Sequence, residues 1–351
     1  MKTGLVLCGG GVLGRGYARI GREIEEFTGR QIHEMYDLIT VTSAGGIVGF
    51  TACTPHPSDS SRTYTMSEIE QLFDQHSAKI FPPDERPNII FSNPLKGLFN
   101  FDRLNRPFYD DKHLIKVFRE NMKDITLHDS RTRVMAPIYC GNDIDRTRYF
   151  YSHPDQYTER DPRFLHHNFM MWECGVVSAS PIIYFPSREV SPVDENGDTI
   201  SDISYRFRDA ISHVNPVDSC MQHLLSLAEP GEPIHITSIN INIEPLHKED
   251  GRNEGLLEYI DPRKGVRGIN YAIFQVATST EEDMKEKARN SQHWYGRKIT
   301  YDPLHIMVTQ EDQAFYGTDF NIDNATPENM QAICDISEKR VKLNPKRFEE
   351  A

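Results

Sequence analysis

Two short apolar runs near the start of the chain each end in a cluster of small residues. The first, from Gly4 to Cys8, is followed by three glycines, and the second, from Tyr36 to Val41, is followed by the small-residue run from Thr42 to Gly46. After the first cluster, apolar residues recur at helical spacing, and after the second an apolar helix begins. A strand, a tight turn and a helix, occurring twice, predict an α/β fold whose parallel strands are buried on both faces.

The rest of the chain changes in composition and then returns to the α/β pattern. Between residues 57 and 111, Pro, Asn, Ser and aromatic residues predict an irregular, partly apolar insertion around short helices. Its apolar stretch from Ile89 to Phe101 either covers a substrate cleft or packs beneath the insertion. Arg133–Cys140 and Pro233–Ile243 are typical of strands, and residues 326–343 of a closing helix. We expect a single domain over residues 1–351.

The overall charge disfavours some partners. The 351 residues carry a formal net charge of −13, whereas nucleic-acid-binding domains present a clustered basic face. Contact with a membrane surface would have to be local and apolar, because net charge would not attract the chain to anionic lipid. The six cysteines are scattered without ligand spacing, which favours reduced, buried thiols over disulfides or a zinc site.

The amino-terminal apolar run is interrupted by glycines before it reaches the length of a signal peptide. Elsewhere, no uninterrupted apolar stretch approaches the roughly 20 residues of a spanning helix. We therefore expect a cytoplasmic protein, although secretion by a non-classical route would leave no trace in the sequence.

Ser43 is the first candidate for chemistry. It lies in a GxSxG-like turn between a predicted strand and a predicted helix, the context of a nucleophile elbow. Such a turn exposes the hydroxyl at a helix N-terminus, where backbone N–H groups stabilise developing negative charge. The small residues after Ser43 permit the turn, but Val41 occupies the position of the first glycine. The motif alone is weak, because a serine in such a turn is often only an N-cap.

The upstream glycine loop has two interpretations. Gly9, Gly11 and Gly14 spell GxGxxG, a dinucleotide-binding fingerprint that also requires an acidic residue at the carboxyl end of the next strand. That strand ends at Val41, and Asp37 lies at its other end. The alternative is a loop whose bare N–H groups form an oxyanion hole facing the elbow. The presence of both motifs at this spacing favours the oxyanion loop.

The partner of Ser43 could be a histidine or a carboxylate. The chain has 14 histidines, and none lies in a context that singles it out. Asp209 lies shortly after Tyr205, where a strand ends in a turn, which by itself is typical of an ordinary turn residue. On the residues alone, both options stay open.

Taken together and in order, five segments resemble the patatin-like phospholipases. They span residue 5 to about residue 335. These segments are the glycine loop with Arg15–Gly21, the elbow run YDLITVTSAGGIVG, Val177–Pro181 with Tyr184–Pro186, Asp209–Ala210 with Asn215–Pro216, and the turn Asp323–Asn329.

The sequence departs from the family pattern at specific positions. The glycine loop is two residues longer, Val41 replaces the first elbow glycine, Ala210 replaces the glycine after the aspartate, and Asn215–Pro216 comes about one residue early. These departures leave an inactive or atypical member as an alternative.

The resemblance implies an α/β protein with a three-layer α/β/α fold and a mainly parallel central sheet. It implies a Ser43–Asp209 dyad, with the N–H groups of Gly10, Gly11 and Ala44 as the oxyanion hole. The expected activity is that of a phospholipase A or lysophospholipase, a lipid acyl hydrolase that needs neither a metal nor a cofactor.

The sequence is also compatible with two other classes of protein. One is a lipid-binding protein of this fold that is catalytically impaired or is activated by an unknown partner or ligand, as Val41 and Ala210 suggest. The other is a nucleotide-dependent oxidoreductase, which rests only on the glycine pattern.

Overall fold

The computed structural model describes residues 1–84, 107–141, 146–181, 184–210, 213, 215–244 and 280–341. Its strands are β1 (Lys2–Leu7), β2 (Leu38–Val41), β3 (Pro55–His56), β4 (Asp59–Thr63), β5 (Arg133–Cys140), β6 (Arg146–Tyr151), β7 (Arg188–Val190), β8 (Tyr205–Asp209), β9 (Ile234–Ile243) and β10 (Ile299–Val308).

Its helices are α1 (Gly14–Thr28), α2 (Ile32–Met35), α3 (Ala44–Cys53), α4 (Met66–Ile80), α5 (Lys112–Met122), α6 (Met171–Ser178), α7 (Val217–Leu227), α8 (Ser291–Tyr295), α9 (Gln310–Tyr316) and α10 (Pro327–Arg340). Residues 280–289 are also helical. No described helix has the length and apolar character needed to cross a membrane.

One eight-stranded sheet forms the middle layer, in the order β10-β9-β1-β2-β5-β8-β7, and β6 also pairs with β5. From β10 to β5 all neighbours are parallel. The strands β6, β7 and β8 add an antiparallel part at one side. The mainly parallel sheet expected from the sequence is confirmed.

Alternate residues of the central strands face opposite layers, as the period of a strand requires. Leu5 and Leu7 of β1 belong to a core with α1 and α3 on one face. Val6 belongs to a second core on the other face, where Leu224 of α7 packs. Helices therefore cover both faces of the sheet, which gives the three-layer arrangement.

The pairing of β5 determines where Asp209 lies. Met135 of β5 pairs with Thr40 of β2, and Ile138, three residues later, pairs with Asp209 of β8. Because β6 pairs with β5 along this whole stretch, β2 and β8 must share its other edge. The end of β8 thus lies beyond the carboxyl end of β2, where the segment containing Ser43 begins.

The region 57–111 differs from the sequence-based expectation in its first part. Instead of an irregular insertion around short helices, residues 55–63 form a β-hairpin and α4 runs for 15 residues. Thr65 and Glu68 make reciprocal capping bonds at the start of α4, and Ile69 and Phe73 are buried at helical spacing. The Pro and aromatic residues that indicated irregularity lie beyond this helix. The apolar stretch from Ile89 to Phe101 falls outside the described residues.

The carboxyl-terminal helix agrees with the sequence pattern. Thr326 caps it by accepting a hydrogen bond from the N–H of Asn329, and the helix ends at Arg340. All six cysteines are buried and free, as expected from their scattered positions.

Candidate active site

Ser43 sits in a strained backbone conformation between β2 and α3. Its φ is 50° and its ψ is −121°, in a region that non-glycine residues rarely occupy. Its side chain makes no capping hydrogen bond to α3, so it is not the ordinary N-cap that the sequence also allowed. A strained turn that leaves the hydroxyl free of the helix is the geometry of a nucleophile elbow.

Close packing around the turn explains its small residues. A Cβ atom on Gly45 would lie 2.1 Å from the carbonyl oxygen of Leu7 in β1, so the backbones of the elbow and of β1 are in contact. The Gly45 N–H also donates to the carbonyl of Cys8 at 3.0 Å. Only glycine permits this approach.

Val41 is accommodated by a second glycine. It is fully buried, and a Cβ atom on Gly49 would lie 2.3 Å from its Cγ1. The Val41 side chain therefore occupies space that a side chain at Gly49 of α3 would otherwise fill. Ala210 is also fully buried, so these two of the four departures from the family pattern lie inside the core.

The glycine loop ends beside the elbow. Gly11 has a φ of +56°, and a Cβ atom there would lie 2.0 Å from the carbonyl oxygen of Ile322. Among the hydrogen bonds of the described residues, none uses the N–H of Gly10, Gly11 or Ala44. These N–H groups remain free for a bound oxygen atom, as an oxyanion hole requires.

A turn near the carboxyl terminus contacts the glycine loop. The sequence did not indicate this contact. The Val12 N–H donates to the Ile322 carbonyl at 2.8 Å, and the next residue, Asp323, accepts a 3.0 Å hydrogen bond from the Tyr109 hydroxyl. Both side chains of that second bond are almost fully buried. The contacts join residues more than 200 positions apart, so no local pattern could have indicated them.

Asp209 ends β8 with its carboxyl group buried. Burial raises its pKa to about 7, and the nearby Ser43 hydroxyl acts in the opposite direction. Neither carboxyl oxygen reaches hydrogen-bond geometry with any described residue. The Ser43 hydroxyl is thus near the carboxyl group without meeting hydrogen-bond geometry.

Gly10, Gly11, Ser43, Ala44 and Asp209 all line one cavity, which we call the Ser43 cavity. It holds about 690 Å³ of empty space, part of it open to solvent. Its other described walls are Gly9, Thr42, Ile47, Ile80, Phe81, Leu114, Ala179, Pro181, Tyr184, Phe185 and Ile322. Apart from Asp209, no described wall residue is charged, so the cavity is suited to an apolar ligand.

No described wall of the Ser43 cavity is a histidine. His305 does lie between Glu281 and the Ser238 hydroxyl, which its Nε2 approaches at 3.1 Å, in the partner order of a serine triad. Ser238, however, is fully buried in the middle of β9. An inaccessible serine in a regular strand cannot reach a substrate, so this group is part of the core.

The dinucleotide interpretation finds no support at the end of β2. Asp37 lies at the other end of that strand, where it accepts hydrogen bonds from Lys2 and from the Thr3 backbone. The loop offers N–H groups, but β2 ends at Val41 and supplies no acidic residue at its own carboxyl end, as the dinucleotide fingerprint requires.

The model of the family described as patatin-like phospholipase matches residues 5–207. The chain belongs to this family. The chain is similar to Patatin-like protein 2 of Oryza sativa subsp. indica, with 26% identity over 207 residues, covering 57% of this chain and 47% of that protein. The chain thus spans about half the length of this relative.

Other similar proteins align with different fractions of this chain and of their own length. Patatin-17 of Solanum cardiophyllum is 23% identical over 100% of this chain and 88% of its own length. The cGAMP-activated phospholipase of Pseudomonas aeruginosa is 26% identical over 52% of this chain and 47% of its own. Among solved structures, VipD from Legionella pneumophila aligns with a TM-score of 0.37 at 10% identity, covering 97% of this chain and 67% of that one.

The packing of Val41 predicts the effect of restoring the family glycine. Val41→Gly should lower the free energy of unfolding by about 2–4 kcal/mol, because it empties a buried site and adds backbone freedom. Urea unfolding followed by circular dichroism measures this. A variant as stable as the wild type, with higher ester hydrolysis, would instead show that Val41 impairs the elbow.

The buried Asp209 carboxyl group predicts a pH-dependent stability. The folded protein has a pKa of about 7 there, against a usual value of 3.8, so it keeps a proton that the unfolded chain loses between these values. Its contribution to the free energy of unfolding is present below about pH 4 and is lost as the pH rises through 7.

Asp209→Asn should therefore be more stable than the wild type at pH 8, by up to about 4 kcal/mol, and differ little at pH 4. Urea unfolding at both pH values measures the difference. Glu173→Gln is a positive control and should also be more stable than the wild type at pH 8, because burial raises the pKa of Glu173 to about 7 away from the cavity. An Asp209→Asn variant less stable than the wild type at pH 8 would refute the account of this carboxyl group.

Proposed function

We propose that this protein is a lipid acyl hydrolase of the phospholipase A or lysophospholipase type, with residues 1–351 as one catalytic domain. The observation that carries this proposal is that the strained Ser43 and the buried Asp209 share one mostly apolar cavity. Membership of the patatin-like phospholipase family supports it.

The first half of the reaction forms an acyl-enzyme. Asp209 takes the proton of the Ser43 hydroxyl as Oγ attacks the ester carbonyl carbon. The carbonyl oxygen becomes an oxyanion, to which the N–H groups of Gly10, Gly11 and Ala44 donate. The intermediate then expels the alcohol, which takes the proton from Asp209, and the acyl group stays on Ser43.

The second half releases the acid. Water attacks the acyl carbon while Asp209 accepts one of its protons, and the same N–H groups stabilise the second oxyanion. Ser43 leaves with the proton from Asp209, and a free fatty acid is formed. The pKa of about 7 suits this role, because a base works best when its pKa is close to the ambient pH.

The alternative is a lipid-binding protein that is impaired or that waits for an activator. The observation that favours it is that neither carboxyl oxygen of Asp209 meets hydrogen-bond geometry with Ser43. Under this alternative, the wild type hydrolyses neither soluble esters nor vesicle lipids by itself.

The first test compares two serines. Wild-type protein should react with a fluorophosphonate probe and hydrolyse p-nitrophenyl butyrate, and Ser43→Ala should lose the label and about 1,000-fold or more of the rate. Ser238→Ala is the matched control, since Ser238 also has a histidine neighbour but lies outside the cavity. It should keep both properties. Equal hydrolysis by the wild type and Ser43→Ala would overturn the proposal.

The second test is the pH profile. Since Asp209 must be ionised to accept the proton, log(kcat/KM) should rise with a slope of about one and level off above about pH 7. Ester substrates with two different leaving groups should give the same profile, because the titrating group belongs to the free enzyme. A flat profile from about pH 5 to 8 would exclude Asp209 as the base.

A further inference from the structure

A second cavity adjoins the Ser43 cavity, and we call it the distal cavity. The two share Gly11, Ile47, Ile80, Phe81 and Leu114 as walls. The distal cavity holds about 550 Å³ of empty space, again partly open to solvent. The two cavities are therefore adjacent, and the side chains between them are apolar.

Helix α3 runs along both cavities. Ile47 lines both of them, and Thr51, one turn further, lines only the distal one. At about 1.5 Å per residue, Ser43 and Thr51 are about 12 Å apart along the helix. Helices α4 and α5 form the opposite walls with Leu72, Phe73, Val117 and Phe118. The space is a groove between three helices that leads away from the nucleophile.

The polar residues of the distal cavity are mostly occupied by their neighbours. The Thr51 hydroxyl donates to the Ile47 carbonyl at 2.6 Å, and the Asn121 amide donates to the Val117 carbonyl at 2.8 Å. His76 contacts His113 at 3.3 Å. No aspartate, glutamate, lysine or arginine is among the described wall residues. A charged head group would find no counter-charge there. Burial of a hydrocarbon chain, in contrast, only removes apolar surface from water, which is favourable.

We propose that the distal cavity binds the far end of the acyl chain of the ester held at Ser43. This inference rests on the proposed function and adds a specificity to it. Short acyl groups occupy only the Ser43 cavity, and long straight chains pass Ile80, Phe81 and Leu114 to reach the distal cavity. Each methylene buried there favours the long chain by roughly fourfold, the equivalent of a methylene transferred from water.

The test fills the distal cavity and measures chain-length preference. Val117→Trp places an indole in the space between α3 and α5. The ratio of kcat/KM for p-nitrophenyl palmitate to that for the butyrate, both below their aggregation limits, should fall by about tenfold or more, as several methylenes lose their site. Lys116→Trp is the matched control, because its side chain is 63% exposed on the same helix. It should keep the wild-type ratio.

A second variant provides the same test if the first one does not fold. If melting shows that Val117→Trp does not fold, Leu72→Trp fills the same cavity from α4 and should lower the same ratio. An unchanged ratio in a folded variant that fills the cavity would overturn the acyl-chain site, while butyrate hydrolysis would still support the Ser43–Asp209 mechanism. Loss of the preference in Lys116→Trp as well would also overturn it. Butyrate hydrolysis that survives Ser43→Ala would instead refute the proposed function itself.

Discussion

The backbone contact between the elbow and the end of β1 is the constraint on which the site depends. Gly45 lies so close to the Leu7 carbonyl that no side chain fits, and its N–H donates to the next carbonyl, that of Cys8. This contact brings the glycine loop after β1 and the turn after β2 to the same place. It also holds Ser43 in its strained conformation, which a less tightly packed turn would relax.

The site places two unfavourable features in one cavity. A non-glycine residue at positive φ costs of order 1–3 kcal/mol, and a carboxyl group without partners resists ionisation. The surrounding core offsets both, since the strands and α3 bury large apolar side chains on either side of the turn. Under the proposed mechanism, the same cost prepares the reaction, because a desolvated base and unpaired N–H donors would be ready to interact with the transition state.

Much of this arrangement could be predicted from local patterns. The alternation of strand and helix gave the parallel sheet, and the small residues after β2 indicated the elbow, because both signals lie within a few consecutive residues. The resemblance to the family then pointed to Asp209, which no local signal distinguished from a turn residue. Its position became clear only from the pairing of β8 beside β2 on β5.

What the sequence missed depends on distant contacts or on competing local signals. The bond from Val12 to Ile322 and the cavity walls from α5 join segments far apart in the chain. The sequence predicts only short helices in this region because the Pro and aromatic residues after α4 dominate its composition, although the capping box of α4 is present. The compensation of Val41 by Gly49 likewise needs the packed pair of elements to be seen.

The most direct test of the central claim is a crystal structure of the protein inactivated by an alkyl phosphonate. The account predicts phosphorus bonded to Ser43 Oγ, a phosphonyl oxygen within hydrogen-bond distance of the N–H groups of Gly10 and Gly11, and an Asp209 oxygen within reach of Oγ. A phosphonate attached to another residue, or one whose oxygen points to solvent while Asp209 stays remote, would contradict it.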